Sequence, residues 1–157
     1  MRLLVSLVVS LVLICSPVWS AESKVSEDEK ILVTRVQHNF DETLDIIRHV
    51  LYQNGFTVAH IQRCDGGLKE MGYETDKYRV VFFGRLSEVR EISQSHAELI
   101  PFLPFKILIY AEGKESVVSI LNPESLIPMV KDKSLTSRFE TWKKEFVQIL
   151  QQAQAAE

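Results

Sequence analysis

Cysteine is almost absent from this chain, with two in 157 residues, Cys15 and Cys64. Cys15 lies in the apolar N-terminal segment, so beyond it one thiol remains and no internal disulfide framework can form, even in an oxidising compartment. An excess of one charge is missing too. Eighteen Lys and Arg are set against 21 Asp and Glu, a formal net charge of −3 with the two signs interspersed. The basic stripe of a nucleic-acid footprint is not there, and no nucleic-acid partner is expected. No HExxH, His-x-His or cysteine pair with metal spacing occurs, no serine sits in a nucleophile elbow, and no Gly-rich loop opens a helix. No catalytic residue and no cofactor are therefore expected.

What is present begins at the N-terminus. Arg2 precedes an apolar run, Leu3 to Cys15, interrupted only by Ser6 and Ser10. Pro17 ends the run, and Val18-Trp19-Ser20 before Ala21 places small residues where a signal peptidase requires them. The run falls short of the ~20 residues needed to span a bilayer, and Ile14 before Cys15 does not suit lipidation. Residues 1–20 are predicted to be a cleaved leader and the mature protein to be periplasmic, with no membrane attachment. Cleavage takes 20 of 157 residues and leaves 137, one ordinary domain. Residues 21–29, polar and acidic, read as a flexible spacer.

From Lys30 the texture changes. ILVTRVQ (31–37) has the β-branched apolar composition of a strand. Asn39 or Asp41 can cap a helix in which Phe40, Leu44, Ile47 and Leu51 form one stripe, closed by Asn54-Gly55. Strands follow at 56–62 and 78–86, the second so continuously apolar (VVFF, 80–83) that it reads as central in a sheet. The segment between them carries Asp65-Gly66-Gly67, a tight-turn signal. Ser87 can cap a second helix reaching Leu99, and 105–112 and 116–122 form a hairpin across Gly113-Lys114. Residues 123–133 are a connector. From Ser134, Leu135, Phe139, Trp142, Phe146, Ile149 and Ala153 recur at helical spacing. The order β-α-β-β-α-β-β-α, with no repeat, predicts an α+β two-layer sandwich: a βαββαββ core over 30–126, then a connector and C-terminal amphipathic helix over 127–157.

FDETLDIIRHVLYQNGFTVAHIQ (40–62), the strand ending in Phe83-Gly84, LPFKILIYAEG (103–113) and the strand closing in Asn122-Pro123 resemble the bacterial and archaeal family known as domain of unknown function 302. The resemblance covers about residues 31–126. It implies a βαββαββ two-layer fold and a dimer, and it brings no assigned biochemical function. Where many relatives carry cysteines this chain has Gly84 and Phe105, and where others have an Asp-His pair it has Arg63-Cys64. Thiol or metal chemistry is thus not inherited at those positions.

Among candidate ligands, His60 and Cys64 share one side of a strand but stand ~13 Å apart unless the chain turns between them. Asp45 and His49, at i and i+4 on the first helix, suit an ordinary ion pair. His96 reads as a core-edge histidine and His38 as a capping or solvent-facing one. Cys64 is a small buried hydrophobe or, with Arg63 and Lys69 near in sequence, a reactive thiol. The apolar loops Ile100–Phe105 and Leu126–Val130, and the aromatic stripe of the last helix, offer interaction residues: Phe102, Phe105, Phe139, Trp142 and Phe146. Two functions are expected on these grounds. One is an exported, non-catalytic binding or interaction module, homodimeric or serving a periplasmic protein partner. The other is a redox or metal-handling accessory protein using Cys64 and a histidine.

Overall fold

In the computed structural model, residues 25–28 and 30–156 are described. The leader predicted over 1–20 and residues 21–24 of the spacer lie outside them. Six strands, β1 (Ser26–Glu27), β2 (Ile31–Val36), β3 (Thr57–Gln62), β4 (Tyr78–Gly84), β5 (Phe105–Glu112) and β6 (Glu115–Leu121), form one sheet in the order β1-β2-β6-β5-β4-β3. Every neighbouring pair is antiparallel. Four helices accompany it: α1 (Phe40–Gln53), α2 (Cys64–Glu70), α3 (Leu86–Ser95) and α4 (Thr136–Gln154). The expected two-layer α+β fold is present, with an added edge strand and an added short helix. Ser26–Glu27, in the segment expected to be a spacer, pair with Leu32 and Val33.

Helix α1 forms as its sequence dictates. The Asn39 side chain accepts from the backbone N–H groups of Asp41 and Glu42, satisfying donors that a helix start leaves open. Its buried face, Phe40, Thr43, Ile47, Val50 and Leu51, turns to the sheet. Gly55, at φ 75°, takes the left-handed conformation that a side chain would resist, and the chain turns there into β3.

The core lies on one side of the sheet. Leu32 and Val36 of β2, Val118 and Ile120 of β6, Ile107 and Ile109 of β5, and Val81 and Phe83 of β4 are all almost completely buried. They join the stripes of α1 and α4 in one cluster. An aromatic group anchors it: the Phe105 ring lies 4.9 Å from both Trp142 and Phe146, and Phe83 lies 5.5 Å from Phe146. Such edge-on pairs add to the burial of large apolar surfaces.

Several local expectations differ from the structure. Asp65-Gly66-Gly67 is part of helix α2 and not a tight turn. The buried Asp65 carboxylate is held by Arg79, whose guanidinium sits 5.2 Å over the Phe40 ring, so a tertiary ion pair outweighs the poor helix propensity of two glycines. Ser87 does not cap α3, which starts at Leu86 with Arg85 at its cap and no side-chain capping bond. That helix ends at Ser95, and a 3-10 turn over Ala97–Phe102, containing Pro101, carries Leu99 into the core. Strand β4 is not central: only β3 lies between it and the sheet edge. The connector after β6 is not irregular throughout, since 3-10 turns occupy Pro123–Met129 and Lys133–Leu135.

Candidate interaction surface on the open face of the sheet

Strand alternation sends every second residue to the face away from the helices. The register aligns these residues in three rungs across the sheet. At one end His60, Phe82 and Lys106 are cross-strand neighbours. The middle rung runs Gln62, Val80, Leu108, Ser119, Val33. At the other end stand Tyr78, Tyr110, Val117 and Arg35. Val80, Phe82, Leu108, Tyr110, Ser119 and Val33 are half-buried, shielded by one another. Val117, on the same face, is buried yet outside the main core cluster. Ile31 and Leu121, paired at the margin, are exposed at 46% and 40%.

Among the described residues no helix covers the middle of this face. The segment after β4 touches only one end: a Cβ on Gly84 would stand 2.9 Å from Val89 of α3, and the Lys106 amino group donates to the Pro101 carbonyl at 3.1 Å. At the opposite end Thr75–Lys77 flank Tyr78, Leu108 and Tyr110 around an open depression of about 490 Å³. Charge is confined to the ends. Lys106 lies 5.9 Å over the Phe82 ring, and burial pushes its amino group below the ordinary lysine range. Arg35 pairs with Glu112 at the other end. The face thus has an apolar centre and charged margins, with His60 and Lys106 at one end.

Four of the five aromatic residues singled out from the sequence are placed elsewhere. Phe105, Phe139, Trp142 and Phe146 are interior, and the stripe of α4 docks on the domain itself. Phe102 is half-buried beside Lys106, Leu121 and Pro123 in a cleft of about 110 Å³ at the sheet's end. The loop-borne Leu126 is likewise core, and Met129 beside it is exposed. The residues that sequence reasoning missed are Val33, Val80, Leu108 and Tyr110. Of these only Val80 lies in VVFF (80–83), an apolar run on both faces of a strand; Val33 lies on β2, and Leu108 and Tyr110 on β5.

His60 is exposed on the open face, 6.0 Å from the Phe82 ring and 3.2 Å from the Gln62 side-chain oxygen. Cys64 begins α2, half-buried and free, with its thiol 3.9 Å from the Gln62 carbonyl. Among the described residues no three His, Cys, Asp or Glu side chains gather in metal-binding proximity. Asp45 pairs with Arg48 at 3.2 Å rather than with His49, which is exposed. His38 bonds the Ala156 carbonyl at 2.9 Å, tying the end of α4 to β2. His96 lies 3.7 Å from Glu98 and 4.0 Å from Asp132.

A polar cleft between α3 and α4 is another concavity with chemical groups. Arg85 makes two bonds to Glu145, at 2.8 and 3.1 Å, and Trp142 donates to Glu88 at 3.3 Å. The Glu145 bonds raise the Arg85 pKa above its ordinary value against the opposing effect of burial. Arg138 pairs with Glu91 at 3.3 Å. These pairs fasten α3 to α4.

A crystal structure described as an uncharacterized conserved protein DUF302 from Bacillus stearothermophilus has the same fold, with a TM-score of 0.71 at 20% identity over 78% of this chain and 97% of that one. Among curated proteins none matches. The model of the family described as Domain of unknown function DUF302 matches residues 32–153, which extends past the resemblance at 31–126 to take in the C-terminal helix. The match takes in strands β2 to β6 and all four helices to within a residue of their ends, and the chain belongs to that family.

Proposed function

We propose that this protein is exported through a cleaved leader and serves in the periplasm as a non-catalytic interaction module that binds through the open face of its sheet. The observation that carries the reading is the second apolar cluster, Val33, Val80, Leu108, Tyr110 and Val117, on a face that no described helix covers. Contiguous apolar surface of this kind on a folded chain marks a place of association. The short apolar run ahead of Ala21 supports the export step. Among the described residues no helix is long and apolar enough to cross a membrane.

The test is a photoreactive phenylalanine analogue at position 108 in the exported protein, with a control at Tyr52, 79% exposed on α1. A discrete adduct from position 108 and none from position 52 is expected. No adduct at 108 overturns the binding role. Recovery of a product that still begins at Met1 overturns the export step.

A further inference from the structure

We propose that the apolar cleft at the end of the sheet is a binding site for a short aliphatic carboxylate, with Lys106 as the residue that recognises the carboxylate. The site stands independently of the binding role proposed above. Its walls follow from the strand register and the two longer 3-10 turns. Strand β6 ends beside the start of β5, with Ile120 opposite Ile107, so Leu121 and Lys106 stand side by side at the margin. The turn over Ala97–Phe102 brings Phe102 there, and the turn over Pro123–Met129, capped by the Asn122 side chain, brings Pro123 and Leu126. The cleft they enclose measures about 110 Å³, and every side chain in its wall except that of Lys106 is apolar.

Size limits the tail. An apolar cavity of ~150 Å³ takes a benzene ring, so in proportion this cleft takes a tail of about four carbons. Pentanoate carries such a tail on one carboxylate. Charge selects the headgroup. Lys77, Arg79, Arg85 and Lys143 each pair with a carboxylate. Among the described residues Lys106 has no such partner. Its ammonium, with three donors to place, gives one to the Pro101 carbonyl at 3.1 Å and lies 5.9 Å over the Phe82 ring. Pro101 adjoins Phe102, which sets that ammonium beside the wall of the cleft. Burial pushes the amino group below the ordinary lysine range with no neighbouring charge to oppose it. A carboxylate brought there makes a charge-assisted bond to a partly desolvated cation, while its tail displaces water from the apolar wall. An alcohol or an amine of the same length gains only from the tail.

The test is a chemical-shift titration of the exported protein, isotope-labelled at its Leu and Ile methyl groups, with sodium pentanoate, pentanol and pentylammonium at constant ionic strength. Saturable shifts at Ile120, Leu121 and Leu126 are expected from pentanoate. Pentanol should bind about tenfold or more weakly, and pentylammonium more weakly still. Propanoate lacks two methylenes and should bind roughly fifteenfold more weakly than pentanoate, about fourfold for each. Lys106→Met should bring pentanoate down to the level of pentanol and leave pentanol as it was. Leu121→Gln, at a residue 40% exposed, should weaken both. No saturable shift at the three residues in the parent removes the site, and equal binding of propanoate and pentanoate removes the cleft as the place of the tail. Equal affinity for pentanoate and pentanol in the parent, or an undiminished preference for pentanoate in folded Lys106→Met, removes Lys106 as the recognising residue. Should Lys106→Met not fold, the comparison of pentanoate with pentanol on the parent decides that point alone.

Discussion

The two faces of the sheet are built from similar residues and differ in what covers them. On the closed face Val81, Phe83, Ile107 and Ile109 are 0% exposed beneath α1 and α4. On the other, Val80, Phe82, Leu108 and Tyr110 alternate with them along the same two strands and stay half-buried. An amphipathic antiparallel sheet ordinarily gives its outer face polar residues. Here the outer face keeps apolar ones, the feature on which the proposed binding role rests. The closed face should thus govern stability, and substitutions on the open face should bear on the binding role more than on folding.

The largest effect should come from the closed face. Trp142, 2% exposed, packs 4.9 Å from Phe105 and 5.5 Å from Phe139. Truncation to Ala leaves a cavity in a tightly packed interior, and Trp142→Ala should lower stability by about 3–5 kcal/mol with no change in sedimentation mass of the folded protein. A variant that loses mass but keeps its unfolding midpoint would break the comparison, because it would place the stripe of α4 at an interface.

Next comes the ion pair that fastens α2 to the sheet. Asp65 and Arg79 side chains are 8% and 12% exposed. Breaking such a pair leaves a buried charge without its partner, so Asp65→Ala should cost about 3 kcal/mol. Denaturant unfolding measures it. A cost under about 1 kcal/mol would mean that the pair is solvated and that α2 is held by other contacts.

How much of this was legible depends on the range of the determining interaction. The cap at Asn39, the stop at Gly55 and the hairpin at Gly113 are local, and the sequence marks each. Helix α2 was missed because Asp65 finds Arg79 fourteen residues away, beyond any local pattern. The aromatic stripe of α4 was visible as a stripe, but its destination, Phe105 and the sheet's closed face, is set by topology. The open face was missed for the converse reason. VVFF signals apolar residues on both faces of a strand and does not say that helices cover only one of them.

A moderate effect should appear where α3 meets the end of the open face. A Cβ on Gly84 would lie 2.9 Å from the Val89 methyl group, closer than side chains normally approach. Overpacking of this kind costs typically ~1–3 kcal/mol. Gly84→Ala should lie in that range, and Val89→Ala in the same chain should recover part of it by removing the methyl groups in the way. Thermal melting of the three proteins checks this; equal losses from Gly84→Ala with and without Val89 would mean that the backbone, and not Val89, sets the limit.

The smallest effect belongs to Lys106, and its pH dependence sharpens the comparison most. Burial on the open face lowers its pKa below the ordinary lysine range. A lysine whose folded pKa lies below its unfolded one holds fewer protons when folded, so between those two values stability rises with pH. The cost of keeping the ammonium partly desolvated is fully present below the folded pKa and disappears as pH climbs past the unfolded value. Lys106→Met removes the charge and keeps an apolar stem over Phe82. Lys106→Met should therefore match or slightly exceed its parent at neutral pH, by about 0.5 kcal/mol or less, with the gap closing in alkaline solution. Denaturant midpoints at neutral and alkaline pH measure both quantities. A loss of stability that is the same at every pH would mean that the amino group's bond to the Pro101 carbonyl outweighs its desolvation, and that this end of the open face helps to hold the monomer together.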